Sequence, residues 1–233
     1  MHYFALLLGP EFDGPVDPDA QAAEMTAYQN FHAVAGAAIR GGDALQSTAT
    51  GAKITGGPDA PTVTDGPFAE GAEVAGGYYV FEAEHLDEAL ELARQIPAAK
   101  YGGVEVWPMV RWSAPTEPVG NGWIALLLEP QENVHGPDSA EFERGSNAHA
   151  EFGKAAGDHI LAGAPLHPPT TATTVRVRDG KAIFTDGPYV EGAEVANGFY
   201  LLRAADRDEA VKLASMIPAT TIEMRHLAGI SGL

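Results

Sequence analysis

The sequence predicts an α+β protein made of two ferredoxin-like repeats, each with the order βαββαβ, whose sheets cover each other within one chain. The second half repeats the first at a constant offset, since 20 of the 35 residues in 65–99 are identical in 186–220. In each copy, short apolar runs alternate with helical patterns in the ferredoxin-like order. Residues 109–122 are rich in Pro, Gly and Ser and read as the connector.

The repeat also defines the predicted domain organisation. We assign residues 1–112 to the first copy, 113–121 to the linker and 122–233 to the second copy. Both helices of such a repeat lie on one face of its antiparallel sheet, so the other face needs a partner. The second copy supplies one through a pseudo-twofold contact analogous to that of a homodimer. We therefore expect an intrachain pseudo-dimer. Whether two chains also associate into a homodimer is left open by the sequence.

Each element carries a local signal. Apolar runs at 3–9 and 123–129 are bounded by turn residues and predict buried first strands. Asp17 or Asp19 in the first copy, and Asp138 or Ser139 in the second, suit the cap of the helix that follows. A central strand, a second helix ended by proline and a final strand complete each copy.

The hairpin after the first helix differs between the copies. In the second copy, polar and apolar residues alternate on both sides of Asp179-Gly180, which is the strongest short hairpin signal. The first copy has extra Gly and Pro in residues 52–66, which weaken the pattern. We therefore expect a looser loop in the first copy.

Composition excludes several functions. The net charge of −18 repels a phosphate backbone, and the closest approach to a basic cluster, Arg176 and Arg178, lies beside Asp179. We therefore expect no binding to nucleic acid or membranes. The chain has no cysteine and no apolar run of about 18 residues, and its start lacks a basic region ahead of its short apolar run. We expect a cytoplasmic protein.

Motifs for metals and cofactors are absent from the sequence. The histidines show no HExxH or HxH spacing, so we expect no metal site. There is no P-loop, no dinucleotide fingerprint and no GxSxG elbow, so no cofactor is implied.

A motif that occurs in both copies carries a family resemblance. It consists of Asp65-Gly66-Pro67-Phe68 and Asp186-Gly187-Pro188-Tyr189, followed by GGYYVFEA or NGFYLLRA and by DEALELARQIPA or DEAVKLASMIPA. These residues resemble the YCII-related proteins, specifically the branch named for its DGPF motif. The resemblance implies a fold that pairs into a dimeric α/β barrel, with a small-molecule pocket between helix and sheet. It implies no particular reaction, because most members of this branch have none assigned.

Elsewhere in the wider family, a histidine of the first helix and an aspartate after the second helix form a catalytic dyad. In this sequence the histidine position holds Met25 and Ser146, and the aspartate position holds Ile96 and Ile217. The resemblance therefore does not imply the chemistry of this dyad for the present chain.

The candidate catalytic histidines are His32 and His149, because imidazole is the side chain most easily tuned near neutral pH. The repeat aligns His149 with Tyr28 and His32 with Gly153. Positions 28 and 32 are one helical turn apart, so each copy presents one imidazole near the same helix face. Contact with a ligand and a partly buried structural role are both open for each histidine.

Asp65 and Asp186 complete the candidate catalytic set. Each begins a turn with Gly and Pro, where a carboxylate typically accepts a hydrogen bond from the backbone N–H two residues on. The alternative is a base or ligand anchor at the pocket mouth. Glu73 and Glu194 follow in the same loop and either line this mouth or face water.

The candidate ligand-binding residues come from the final and central strands. Alternation in the final strand of the first copy places Val104 and Val106 toward the helices and the residues between and after them toward the interior. With the phenols of the neighbouring strand, the interior set is Tyr79, Glu105, Trp107, Tyr200, Glu223 and Arg225. Such a cavity suits a small aromatic or polyketide-like ligand. Alternatively, these residues seal the interface between the copies.

We therefore expect a protein that binds a small molecule and acts as a cofactor-free enzyme for proton transfer, elimination or cyclisation. The alternative is a non-catalytic ligand-binding or scaffold module of the same fold.

Overall fold

A computed structural model of the chain describes residues 1–11, 17–67, 73–188 and 194–230. Two residues of the DGPF-type motifs, Phe68 and Tyr189, lie outside the described residues.

The two copies have the same order of elements. The first contains β1 (His2–Gly9), α1 (Pro18–Ala35), β2 (Ile39–Ala44), β3 (Ala52–Thr55), β4 (Thr62–Asp65), β5 (Val74–Glu82), α2 (Leu86–Ala93) and β6 (Gly103–Pro108). The second contains β7 (Trp123–Pro130), α3 (Ala140–Ala156), β8 (Ile160–Pro165), β9 (Thr173–Arg178), β10 (Lys181–Asp186), β11 (Glu194–Leu202), α4 (Arg207–Ala214) and β12 (Thr221–His226). The first helices are capped by Asp17 and Ser139, whose side chains accept from backbone N–H groups of the first turn.

The strands form two six-stranded antiparallel sheets that exchange their hairpins. The first sheet has the order β10-β9-β6-β1-β5-β2, and the second has the order β4-β3-β12-β7-β11-β8. Hairpin β9–β10 of the second copy therefore extends the first sheet beside β6, while β3–β4 of the first copy extends the second sheet beside β12. No local sequence pattern indicates this exchange. Each sheet contains strands of both copies, although the copies are separate along the chain.

The two exchanged hairpins have different turns. Asp179 and Gly180 both have positive φ, at 51° and 73°, as the tight type I′ turn requires. In the first copy, residues 56–61 join two four-residue strands. The looser loop predicted for the first copy is confirmed.

The sheet faces that lack helices pack against each other. Phe4 of β1 and Phe199 of β11 stack with their ring centroids 4.4 Å apart. Tyr78, Trp107 and Leu126 belong to the same buried cluster, which draws on both sheets. This inter-sheet core confirms the predicted pseudo-dimer of two ferredoxin-like repeats within one chain.

The opposite faces pack against the helices, and the exchanged hairpins contribute to these cores. Val104 and Val106 of β6 pack with α2, as predicted from the alternation of the final strand. Val175 of the exchanged β9 lies in the same buried cluster. Ile54 of the exchanged β3 occupies the matching position against the helices of the second copy.

Ion pairs tie the exchanged hairpins to the sheets that receive them. Both oxygens of Glu73, which directly precedes β5, accept from Arg176 of β9 at 2.7 Å. These hydrogen bonds hold the pKa of Glu73 below its usual range. At the pseudo-equivalent place, Glu194 lies 3.9 Å from Lys53 of β3. Both glutamates thus help to hold the exchanged hairpins. The sequence analysis had allowed only that they line a pocket mouth or face water.

Candidate functional site

An imidazole–phenol pair lies between the first helix and the sheet in each copy. In the first copy, Nε2 of His32 lies 2.7 Å from the hydroxyl of Tyr79. In the second copy, Nδ1 of His149 lies 3.1 Å from the hydroxyl of Tyr200. The tyrosines occupy the same repeat position, whereas the histidines come from positions one turn apart. Each copy therefore makes the same contact through a different ring nitrogen.

A glycine in the neighbouring edge strand makes room for each tyrosine ring. Gly42 of β2 is paired with Tyr79, and Gly163 of β8 is paired with Tyr200. A Cβ on either glycine would lie 2.6 Å from Cδ1 of the tyrosine ring, which is closer than real contacts allow. The missing side chain lets the ring lie over the edge strand, so that its hydroxyl reaches the helix.

This placement corrects the prediction that Tyr79 and Tyr200 face the interior. Along β5, Tyr78 and Val80 belong to the inter-sheet core, so Tyr79 points to the helices. Aromatic neighbours on the helix complete the site, since Phe31 and Phe152 make edge contacts with the two rings at 5.3 and 5.1 Å. The sequence analysis grouped the tyrosines with the interior residues of the final strands, whereas the structure pairs them with the helix histidines.

The surroundings of the two pairs differ in charge. In the first copy, the Tyr28 and Tyr101 hydroxyls are 3.3 Å apart, and Tyr101 donates to Glu24 at 2.8 Å. Tyr101 lies in a three-residue segment, 100–102, that the second copy lacks. In the second copy, Gly145 stands in place of Glu24. The carboxylate found near the first pair is therefore missing beside the second.

Burial keeps the second pair uncharged at neutral pH. It lowers the pKa of His149 to about 4, and the positive charge of Arg111 acts in the same direction. Burial also raises the pKa of Tyr200, against the influence of Arg111. Burial likewise raises the pKa of Tyr79 in the first copy. The second pair therefore presents a neutral imidazole and a neutral phenol.

The candidate aspartates lie away from these pairs. Hairpin exchange places Asp65 in the second sheet and Asp186 in the first. The predicted hydrogen bond within their turns is wrong, because the residues two positions on, Pro67 and Pro188, have no N–H group. Asp65 instead accepts from Arg207 of the second copy.

Asp65 borders a cleft of about 690 Å³ that residues of both copies line. Trp123 and His226 form one wall, with their ring centroids 4.5 Å apart. Arg207 donates to Asp65 and to the Gly51 carbonyl. Among the described residues, no hydrogen bond connects the candidate aspartates with the candidate histidines. The four predicted catalytic residues do not form one site.

The other four predicted interior residues, Glu105, Trp107, Glu223 and Arg225, do face the inter-sheet space, and their polar groups bind partners there. Nε1 of Trp107 donates to Glu105 at 3.2 Å. Arg225 donates to Glu223 at 2.9 Å and also to the Gln46 carbonyl. The carboxylates thus have the partners that burial requires. A ligand-binding role for these residues stays a prediction.

Two features of the site were not anticipated. Gly42 and Gly163 occupy equivalent positions in the repeat, but the sequence alone does not show that they make room for a tyrosine ring. Arg111 lies in the predicted connector, and no sequence signal places it beside His149.

The protein is thus a duplicated α+β protein whose two sheets pack against each other, with a histidine–tyrosine contact in each copy. The chain belongs to the YCII-related domain family, whose model matches residues 16–113 and 123–226. An uncharacterized protein of Rhizobium meliloti (strain 1021) is 41% identical over 70 residues, which are 28% of this chain and 56% of that protein. The chain thus spans little more than half the length of that relative.

Among solved structures, a protein described as a "Putative Chlorite dismutase" is similar over 97% of this chain and 94% of its own. The TM-score is 0.47 and the sequence identity is 8%.

No group of three or more His, Asp or Glu side chains is arranged to hold a metal ion in the part of the chain that the structure describes. Within the same residues, no helix is long and apolar enough to span a bilayer.

We predict that Gly163→Ala destabilises the protein by about 1–3 kcal/mol, because the added methyl group collides with the Tyr200 ring. Gly153→Ala is the matched control, since a Cβ there meets no atom within 4 Å. It should stabilise helix α3 by about 0.5–1 kcal/mol. Urea unfolding measures both, and equal stability of Gly163→Ala and wild type would contradict the described packing.

The lowered pKa of His149 predicts a dependence of stability on pH. Between the ordinary histidine pKa of about 6.5 and the folded value of about 4, the unfolded chain binds more protons, so stability falls as the pH drops through this window. At pH 4.5 the loss should be about 2–3 kcal/mol relative to pH 7.5.

The measurement compares urea unfolding of wild type and His149→Gln at both pH values. The variant should lose less stability on acidification by that amount. Parallel losses in the two proteins would show that His149 is not buried in its neutral form.

Proposed function

We propose that this protein binds a small organic molecule between the first helix and the sheet of one or both copies. The observation that carries the proposal is the recurrence of the imidazole–phenol pair. A purely structural contact would be expected to keep one helix position, yet the copies reach the same tyrosine position from His32 and His149, one turn apart. Different routes to one contact support a role for the contact itself.

We infer that the ligand binds beside the pair, beneath the early turns of each first helix. Helix α1 buries only Phe31 and Ala35 among its residues, both near its C-terminal end. Helix α3 repeats this arrangement with Phe152 and Ala156. The earlier turns of each helix are not packed into the core, and Met25 is exposed. A cleft with aromatic walls and a few convergent polar groups is the usual form of a small-molecule site.

The finer proposal is a cofactor-free proton transfer, elimination or cyclisation of a small aromatic or polyketide-like molecule. Imidazole takes or gives a proton near neutral pH, and the phenol holds it in one orientation. His149, with its lowered pKa, acts as a hydrogen-bonding group or weak base, so the two copies need not share one role.

The competing proposal is a non-catalytic binding or scaffold module. It is favoured by the inter-sheet core, where stacked rings such as Phe4 and Phe199 fill the contact between the copies. In that case, duplication serves only to provide a stable pair of sheets.

The test uses a panel of phenols, aromatic acids and cyclic 1,3-diketones, with binding followed by ligand-observed NMR. We expect some members to bind wild type and to lose binding in the double variant His32→Gln/His149→Gln. His135→Gln is the control, because His135 is exposed on a loop. Binding that is equal in all three proteins would contradict the proposed site.

The same samples in D₂O separate an enzyme from a binding module. A proton-transfer enzyme should accelerate exchange of the acidic carbon-bound proton of a bound diketone, and the double variant should lose this acceleration. Binding without exchange would favour the non-catalytic alternative.

A further inference from the structure

One arginine differs from all the others in its contacts. Seven arginines donate to carboxylates and an eighth to backbone carbonyls, namely Arg40, Arg94, Arg144, Arg176, Arg203, Arg207 and Arg225, with Arg178 as the eighth. Arg111 makes no hydrogen bond or ion pair with any of the residues that the structure describes. Arg111 is exposed, so its guanidinium is open to solvent and to a ligand, although carboxylates are abundant in a chain with a net charge of −18.

The connector places Arg111 at the edge of the second sheet. The N–H of Val110 donates to the Pro165 carbonyl at the end of β8, at 3.0 Å. On the other side of Arg111, the Trp112 ring packs 5.8 Å from that of Phe199. These contacts hold the backbone on both sides of Arg111 beside the end of β8.

The polar pair of the second copy lies over the same edge strand. The Tyr200 ring lies over Gly163 of β8, and its hydroxyl meets His149. The charge of Arg111 influences the pKa values of both residues, which agrees with a position beside them. A cation, a neutral imidazole and a neutral phenol thus share one edge of the second sheet.

The first copy has the opposite charge at the corresponding place. The residue equivalent to Arg111 is Gly229, whose N–H donates to the carboxylate of Asp43. Glu24 adds a second carboxylate near the first pair through Tyr101. Its counterpart in the second copy is Gly145, which has no charge. The two clefts therefore differ in the charge that they present to a ligand.

We propose that the cleft of the second copy binds small organic anions, with Arg111 pairing with a carboxylate or an acidic phenolate. This inference rests on the proposed function, because it names the ligand class of one of its two clefts. In the proposed arrangement Tyr200 is the donor to Nδ1 of His149, which leaves the imidazole proton on Nε2. That N–H is a second donor for the anion. The guanidinium supplies a planar, charge-assisted contact, which is stronger than a neutral hydrogen bond.

The test compares 4-hydroxybenzoate with 4-hydroxybenzamide, which has a similar shape but no charge. Each is titrated into wild type, Arg111→Gln and Arg144→Gln at one fixed ionic strength, while the amide resonance of Gly163 is followed by NMR. Arg144 is an exposed arginine of the same copy that already pairs with Glu141, so its variant removes the same charge from an arginine that has a carboxylate partner.

We expect wild type to bind the acid at least about tenfold more tightly than the amide. Arg111→Gln should remove this preference by lowering the affinity for the acid to about that for the amide, whereas Arg144→Gln should behave as wild type. Equal affinities of wild type for acid and amide would overturn the inference. So would an unchanged preference in Arg111→Gln, or a response at Gly42 instead of Gly163.

These outcomes are distinct from a failure of the proposed function. If both compounds bind with equal affinity and His149→Gln weakens them, the cleft exists but has no preference for anions. If neither compound perturbs Gly163 in any variant, both the inference and the proposed cleft of the second copy are wrong.

Discussion

The burial of two bare sheet faces against each other is the constraint on which the rest of the structure depends. Each sheet has helices on one face only, and an uncovered apolar face of this size is unfavourable in water. Packing of the two faces against each other, with Phe4 stacked on Phe199, removes both from solvent at once. Because both sheets belong to one chain, this contact forms at any protein concentration, unlike that of a homodimer.

Hairpin exchange strengthens the same contact. A hairpin of each copy lengthens the sheet of the other, so separation of the copies would break strand pairing as well as apolar packing. Val175 and Ile54 carry this exchange into the helix-facing cores. The bidentate bond between Arg176 and Glu73 adds a partly buried ion pair. The two copies therefore behave as one structural unit, although each could be delimited along the sequence.

Duplication within one chain also allows the two clefts to differ. In a homodimer, a change in one site appears in the other, whereas here each copy changes separately. Gly42 and Gly163 keep the tyrosine geometry the same on both sides. The charged residues around it differ, with Glu24 near one pair and Arg111 near the other. A shared framework with unlike surroundings is consistent with two ligands, or with one working site and one that has changed its role.

Much of the fold could be predicted from the sequence, because repeat register and strand alternation are local signals. Alternation placed Glu105 and Trp107 correctly, because the valines between and before them mark the opposite face of that strand. It failed for Tyr79, because Tyr78 beside it is equally aromatic and only the pairing of β5 decides which ring points inward. Local pattern also identifies a hairpin without stating which sheet edge accepts it, so the exchange, and with it the position of Asp65, could not be foreseen.

The intrachain exchange can be tested most directly by a disulfide across it. The natural chain has no cysteine, and Thr55 of β3 is paired with Thr221 of β12. Directly paired positions on antiparallel strands are within disulfide range. Oxidation of Thr55→Cys/Thr221→Cys at low protein concentration should give a cross-linked monomer, seen by non-reducing electrophoresis and intact mass. Formation of disulfide-linked dimers only, or of no cross-link, would contradict the pairing of the two copies within one chain.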